Sequence, residues 1–427
     1  MRMNFSIYLC HDELGWCTLL ISIFKTLSRR SSTVKKYRWQ AISLVLVAFM
    51  LGCNEFMVVG VISDIAHSLN VTVAAAGYLV TMFAIVYAIS TPVITVLTNR
   101  FGRYPLLMTL MVIFLIGNTW SGFASNYWMF LASRLITAAV AGSIEAMIIV
   151  FANDIAPRQK RAMLISWIAA GFSVASVVGV PVGAAISAAT SWHVTFHLIS
   201  VLSLITCLIL GRLLPKNVQH VSGSIKDQLV LLTDRRIYLG AVLVLFSAAT
   251  LYAYYTYIRP LLTTQLGFDL KTMTLMLSLL GVMDIVGNRL SGTIAGRSGV
   301  RTLPWAYLAQ IGLFLVMPFA LTARWPGYTV LLVLMLIIPI INSPIQVHFL
   351  DVAEADYPQA TAFASSLNAI FYNVGISLGS ATAAGSLTHF GLRNLGWGSL
   401  LFAVIALVLT ILLNRAIAAH RRVKALD

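Results

Sequence analysis

Apolar runs of about 20 residues recur along nearly the whole chain, separated by short polar segments, and few folds tolerate that pattern. They fall at residues 39–63, 73–97, 105–123, 127–152, 161–187, 194–213, 237–258, 271–295, 302–321, 327–348, 362–386 and 396–414. Inside a bilayer every backbone N–H and C=O must find its partner within the protein, so runs of this length read as membrane-spanning helices. Composition agrees. The chain is 59% hydrophobic and only 10% charged, with a mean hydropathy of +0.88, where a soluble domain carries about 25% charged residues. The expected fold class is an all-α membrane protein of about twelve transmembrane helices.

The net charge of +15 does not form a stripe suited to nucleic acid. The basic residues sit in short clusters between spans, and the clusters alternate. Arg100, Arg103, Arg158, Lys160, Arg161, Arg212, Lys216, Lys226, Arg235, Arg236, Arg297 and Arg301 fall on one side, with Arg415, Arg421, Arg422 and Lys424 of the tail. The other side holds only Arg259, Lys271, Arg324 and Arg393. The positive-inside rule makes the richer side cytoplasmic and puts both termini there. The acidic segment with Asp351, Glu354 and Asp356 falls on the same side and weighs little in that rule.

The longest polar stretch between spans, Leu214 to Arg236, divides them six and six. The organisation read from this is a basic, cytoplasmic, possibly disordered extension at 1–38, a six-helix bundle at 39–214, a linker at 215–236, a second bundle at 237–415 and a basic tail at 416–427. Two pseudo-symmetric halves joined by a central linker are the outline of a transporter built from repeats. Within the extension, Leu14 to Phe24 is apolar but too short to span, and its basic residues follow it, the reverse of a signal peptide. It reads either as an interfacial segment or as a functionless leader from an upstream start. Cys10, Cys17, Cys53 and Cys207 have no metal-ligand spacing, and no metal site is expected.

Ionisable residues inside spans are costly, ~2.5–3.5 kcal/mol each on insertion scales, and are functional candidates for that reason. Three carboxylates qualify: Glu55 in the first span beside Asn54, Glu145 in the fourth and Asp284 in the eighth. Each has a plainer reading as a buried, hydrogen-bonded structural group; Asp284 has Asn288 and Arg289 close by for that purpose. Arg134 lies three turns from Glu145, too far to pair with it. It is expected either to bond backbone carbonyls or to serve as counter-charge to Glu55. Tyr252, Tyr254, Tyr255 and Tyr257 cluster at one end of the seventh span, as an interfacial aromatic belt or as a stacking surface for a planar ligand. His67, His193, His197, His348 and His389 read as interfacial.

These residues resemble the major facilitator superfamily. Asn99, Arg100, Gly102 and Arg103, after the second span, resemble its signature G-x-x-x-D-R-x-G-R, with Thr95 in place of Gly and Asn99 in place of Asp. The latter change removes a carboxylate that in the family pairs with Arg at the cytoplasmic gate. Gly171, Gly179, Pro181 and Gly183 resemble the Gly/Pro motif in the fifth helix of drug:proton antiporters. Glu55 with Phe56 and Gly60, the segment Tyr255 to Pro260, and Asn368, Asn373, Gly375 and Gly379 resemble the bacterial sugar-efflux and purine-nucleoside-efflux branch.

The resemblance implies a proton-coupled antiporter working by alternating access, with no cofactor beyond the proton gradient. The candidates for proton coupling are Glu55, Asp284 and Glu145, although the resembled branch does not usually carry a carboxylate at the position of Glu145, and those for a substrate cavity are Asn54, Arg134, Tyr255, Tyr257, Gln346, Asn368 and Asn373. The resemblance further implies a monomer in the bacterial inner membrane, in contact with lipid and a small solute such as a sugar, nucleoside or drug. A proton-independent facilitator and a substrate-sensing receptor on the same scaffold are the alternatives. An intramembrane hydrolase is disfavoured by the lack of H-E-x-x-H and G-x-S-x-G.

Overall fold

The computed structural model describes residues 6–98, 101–157, 160–216, 230–357 and 360–424. Among these the backbone is helical nearly throughout, without a strand. The first half contains α1 (Ser6–Ser68), α2 (Val73–Leu97), α3 (Arg103–Gly122), α4 (Tyr127–Ile155), α5 (Arg161–Ala189) and α6 (Trp192–Leu213). The second contains α7 (Arg235–Tyr255), α8 (Leu270–Arg297), α9 (Leu303–Ala320), α10 (Arg324–Asp356), α11 (Thr361–Phe390) and α12 (Gly396–Lys424).

Eleven helices among the described residues are long and apolar enough to cross a membrane. The twelfth, α11, is 30 residues long, but Asn368, Asn373, Ser377 and Ser380 dilute its apolar run. These polar groups lie along a helix packed between α7 of its own half and α2 of the other. The twelve-helix, two-bundle fold expected from hydropathy is the one observed.

Three elements depart from a plain reading of the runs. The extension at 1–38 does not stand apart in the backbone: from Ser6 it is helical and continuous with the first span. No Pro or Gly interrupts the chain from Trp16 to Leu51, so nothing there breaks a helix. α10 passes through a 3₁₀ stretch at Ile338–Ile341. Pro339 and Pro344 each lack the N–H that the regular ladder would use. The end of α7 breaks at Thr256 and Tyr257 and resumes as a short helical turn, Ile258–Pro260, followed by the π-helical Leu261–Gln265.

Each half is organised by one close crossing of its first and fifth helices, α1 on α5 and α7 on α11. Glycine makes both possible. A Cβ on Gly171 would sit 2.8 Å from the Val45 carbonyl oxygen, and one on Gly52 2.7 Å from Ala175 Cβ. Gly60 lies directly against the Val180 carbonyl. In the second half Gly375 lies against the Leu245 carbonyl and Gly379 against that of Ala249. Small residues at membrane helix crossings let backbones approach and gain van der Waals contact where no hydrophobic drive acts.

The two halves meet along two seams, α2 with α11 and α5 with α8. Each seam joins a second helix of one half to a fifth helix of the other, so the two are one contact repeated by pseudo-symmetry. At the α5–α8 seam, a Cβ on Gly281 would meet the Val177 carbonyl oxygen at 3.0 Å. Val177 is four residues before Pro181, and its carbonyl is the one that Pro181 leaves without a helical donor. The surface around the bundles exposes large apolar side chains, among them Trp128, Trp167, Trp305 and Phe319, as a lipid-facing surface does.

The α1–α5 crossing yields a test. Gly60→Ala places a methyl group into the Val180 carbonyl, whereas the nearest atom to a Cβ on Gly179 is Met57 Cγ at an ordinary 3.5 Å. Overpacking of this kind costs roughly 1–3 kcal/mol. Thermal unfolding of the detergent-purified protein is expected to drop by several degrees for Gly60→Ala and to stay near the parent for Gly179→Ala. Equal behaviour of the two variants contradicts the packing assignment.

Candidate functional site

Between the halves lies a small cavity of about 10 Å³. Glu55, Phe56 and Val59 of α1 line it with Val80 and Phe83 of α2, Arg134 of α4, Tyr252 of α7 and Ile376 of α11. Both bundles therefore contribute walls. Glu55 brings an ionisable carboxyl to this space without an ion pair to Arg134, although both line it.

Arg134 is only 1% exposed. Its Nη1 donates to the backbone oxygen of Asn54 at 2.9 Å and to Asn54 Oδ1 at 3.0 Å. Its guanidinium carbon stands 4.2 Å from the Phe83 ring centroid, where the ring quadrupole attracts a cation. Asn54 is fully buried; its Nδ2 donates to Asn118 Oδ1, and Asn118 donates onward to the Phe114 carbonyl at 2.9 Å. Of the two roles expected for Arg134, direct bonding to backbone is observed. Asn54 accordingly clamps the arginine and does not line the cavity.

Glu145 accepts a hydrogen bond from the Tyr87 hydroxyl of α2. Gly142, one turn earlier on α4, leaves room for Tyr87 and Thr91 to lie against its backbone. In the second half, Asn288 Nδ2 donates to Asp284 Oδ2 at 3.2 Å, and Asn342 Nδ2 of α10 donates to Asn288 Oδ1 at 3.2 Å. Asn288, not Arg289, is thus the neighbour that bonds Asp284. A second small cavity of about 10 Å³ is lined by Ser247, Asn342, Ile345, Asn368 and Tyr372, among others.

The tyrosines at the end of α7 are not an interfacial belt. Tyr252 is 3% exposed and Tyr254 and Tyr257 are fully buried, while Tyr255 is half-buried. A belt faces lipid headgroups; these rings turn into the bundle, where Tyr252 meets Tyr255 edge-on at 6.1 Å and Tyr372 of α11 at 6.3 Å between ring centroids. Tyr257 lines neither cavity. Its hydroxyl donates to the Ala74 carbonyl at 3.2 Å, and its ring lies on Gly77 of α2.

The remaining expected residues divide. Asn368 lines the second cavity. Asn373 is buried and donates to the Ala369 carbonyl at 3.2 Å, leaving its own Oδ1 without a partner. Gln346 is exposed and lines neither cavity. Gly102 precedes the first residue of α3, Arg103. Asn99 and Arg100 lie outside the described residues. Gly171 packs on α1 as described, and Gly183 lies 3.3 Å from Met57 Cβ by the same measure. Of the histidines read as interfacial, His348 is buried, with Nε2 3.3 Å from the Arg236 carbonyl oxygen.

Sequence reasoning missed one constellation. At the end of α1 remote from the N-terminus, Asp64 meets Arg259 from the turn after α7. Arg259 Nη1 donates to Asp64 Oδ2 at 2.5 Å and Nη2 to Oδ1 at 2.7 Å, a bidentate pair, and Nη1 also donates to the Gly60 carbonyl at 2.9 Å. The Ser187 hydroxyl of α5 donates to the same carboxylate. With Arg259 only 3% exposed, this pair ties the two halves together at one face of the bundle. Tyr257 on Ala74 adds to it there, and Thr81 Oγ1 bonds Ser380 Oγ at 2.8 Å across the α2–α11 seam. The available signal was two isolated opposite charges at matching ends of the first helix of each half.

At the opposite face the ion pairs Arg236–Asp234 and Arg236–Asp356, both 2.6 Å, lie within the second half. Burial pushes the Asp234 carboxyl up, but the hydrogen bonds and charge of Arg236 more than offset it and hold the group below the usual carboxylate range.

The chain matches the Major Facilitator Superfamily over residues 44–380. It is 31% identical over 371 residues to YtbD of Bacillus subtilis (strain 168), an uncharacterized MFS-type transporter, covering 86% of this chain and 93% of that protein. It is 28% identical over 378 residues to YbcL of the same organism, likewise an uncharacterized MFS-type transporter, covering 88% and 95%. Among solved structures, a bacterial homolog of the human lysosomal transporter Spinster, inward-facing and unoccupied, superposes with a TM-score of 0.73 at 16% identity, covering 89% of this chain and 97% of that one. The D-xylose–proton symporter superposes with a TM-score of 0.72 at 15% identity, covering 88% and 97%. The twelve helices in two halves, the cavity between them and these matches together make the chain a member of the Major Facilitator Superfamily, a multi-pass membrane transporter and not an enzyme.

Proposed function

We propose that the protein is a proton-coupled antiporter that exports a small solute from the bacterial cell by alternating access, with Glu55 as its proton carrier. The observation that carries this reading is an intramembrane carboxyl without an ion pair, lining a cavity walled by both halves. Transport against a gradient needs a group that is charged in one state and neutral in another. Protonation of such a carboxyl removes its ~2.5–3.5 kcal/mol burial cost, and a proton moving inward gains ~2.3 kcal/mol per 100 mV. Glu145, bonded by Tyr87 on the neighbouring helix, is a second titratable group in the same half. The export direction rests on the resemblance of the Gly171–Gly183 segment to drug:proton antiporters.

The basic ends of the helices are assigned to the cytoplasm by the positive-inside rule. On that assignment Asp64 and Arg259 hold the two halves together at the outer face, as an inward-oriented state of the proposed plasma-membrane monomer requires. The outward-oriented state requires this pair to separate while contacts form at the cytoplasmic face. A facilitator that ignores protons is the competing reading, and it would use the same cavity.

In proteoliposomes with an imposed pH gradient, Glu55→Gln is expected to abolish gradient-driven accumulation and to preserve solute counterflow without a gradient. Full proton-coupled exchange by this variant refutes the carrier assignment, and pH-independent flux in the parent favours the facilitator.

The outer pair makes a separate prediction. Removing one partner alone strands a buried charge at roughly 3–5 kcal/mol, so the informative variant is Asp64→Asn with Arg259→Gln. In a background lacking native cysteines, Val80→Cys on the cavity wall is expected to react several-fold faster with an impermeant thiol reagent added outside once the pair is removed. An unchanged rate argues against a closing role for the pair.

A further inference from the structure

Resting on the exporter reading, we propose that the second small cavity is a water site on a passage by which protons leave Glu55 for the cytoplasm inside the second half, and that the ring pair Tyr252–Tyr372 is the shutter across that passage. The cavity measures about 10 Å³, room for about one water molecule. A space of this size takes up water only where polar groups hold it, and an apolar one stays dry. Here Ser247, Asn342, Asn368 and Tyr372 supply hydroxyls and amides, and no charged side chain lines the space among the described residues. Asn342 uses its Nδ2 on Asn288, and its Oδ1 is left over. The Asn368 amide and the Tyr372 hydroxyl form no hydrogen bond among the described residues. A buried water makes about three hydrogen bonds, and these groups offer them.

The two cavities lie in file. Asn368, Tyr372 and Ile376 follow one another at one-turn steps along α11. The first two line the second cavity, and Ile376 lines the first, together with Glu55. On α7 the order is the same, with Ser247 at the second cavity and Tyr252 at the first. Both helices begin at the face assigned to the cytoplasm, so the second cavity is the nearer to it. One turn further toward that face on α10, beyond Ile345, the buried His348 holds its Nε2 3.3 Å from the Arg236 carbonyl oxygen. Polar groups therefore continue from the second cavity to the basic end of the bundle.

Between the cavities stand the rings of Tyr252 and Tyr372, edge-on at 6.3 Å between centroids. In this structure the shutter is shut. No hydrogen bond holds Tyr372 among the described residues, so turning its ring aside breaks only packing contacts. With the ring aside, a proton passes from a Glu55 carboxyl oxygen to a water oxygen, and each water hands on one of its own protons. A neutral lining suits such a passage, because a carboxylate would hold the proton there and an ammonium would repel it. The shutter matters most in the outward-oriented state. Glu55 then meets the outside, and exchange stays coupled only while the cytoplasmic passage is closed.

The test is passive proton leak with no solute present. The full chain is reconstituted into liposomes loaded with the pH dye pyranine, and the decay of an imposed pH step is followed with potassium and valinomycin clamping the voltage. Tyr372→Ala is expected to leak several-fold faster than the parent, and Tyr372→Phe, which keeps the ring, to stay as tight as the parent. Adding Asn368→Leu to Tyr372→Ala makes the second cavity apolar and is expected to restore the slow decay. A tight Tyr372→Ala, a leaking Tyr372→Phe, or a leak that Asn368→Leu does not slow each overturns the proposal. If Tyr372→Ala does not fold, Tyr252→Ala opens the same partition from α7 and is read the same way. Adding Glu55→Gln separates this proposal from the carrier assignment. A leak slowed by Asn368→Leu but not by Glu55→Gln supports the water passage and overturns Glu55 as its proton source.

Discussion

Backbone-to-backbone contact at glycine is the constraint on which the arrangement depends. In lipid the helices gain little from apolar burial alone, and association has to come from close packing. Gly60 on the Val180 carbonyl and Gly171 on that of Val45 let α1 and α5 approach until peptide groups touch. Gly375 and Gly379 do the same for α11 on α7. With the first and fifth helices locked inside each half, the second and fifth helices present the faces that meet the other half. The seams are then free to be made of small and lightly polar groups, such as Thr81 on Ser380 and Gly281 on Val177. Such contacts lie between the bundles and take no part in the packing inside either one.

The two deeply buried arginines illustrate two uses of a guanidinium in a membrane protein. Arg134 is held within one half by Asn54, with Phe83 beneath it, and keeps its charge next to a cavity that also contains Glu55. Arg259 spans the halves and spends its charge on Asp64 with near-ideal bidentate geometry. The first therefore stays within one half beside the cavity, and the second joins two bodies. Charge alone does not distinguish them; only the partner does.

Much of this was legible in the chain. Twelve spans, two halves and the basic side follow from run lengths and charge, because the bilayer enforces helical backbone and penalises charge in a periodic, local way. Glu55 stood out for the same reason, and it does line the cavity between the halves. Of the two readings left open for Tyr252, Tyr254 and Tyr257, the belt is not the one observed, because hydropathy gives depth along the membrane normal but not the azimuth of a side chain on its helix. Gln346 is exposed and lines neither cavity described, and Asn54 proved to be a clamp because its partners, Asn118 and Arg134, come from other helices.

By itself the sequence determined the span count, the division into bundles and which residues carry intramembrane charge, since each of these is written in contiguous stretches that meet the bilayer one at a time. Only the tertiary structure decided that Asp64 belongs with Arg259, that Tyr87 serves Glu145 and that Asn342 bonds Asn288. Most of these pairings join helices far apart in the chain, and their geometry is set by helix rotation and crossing. Those quantities depend on the packing of all twelve helices at once, and no local pattern of residues encodes them.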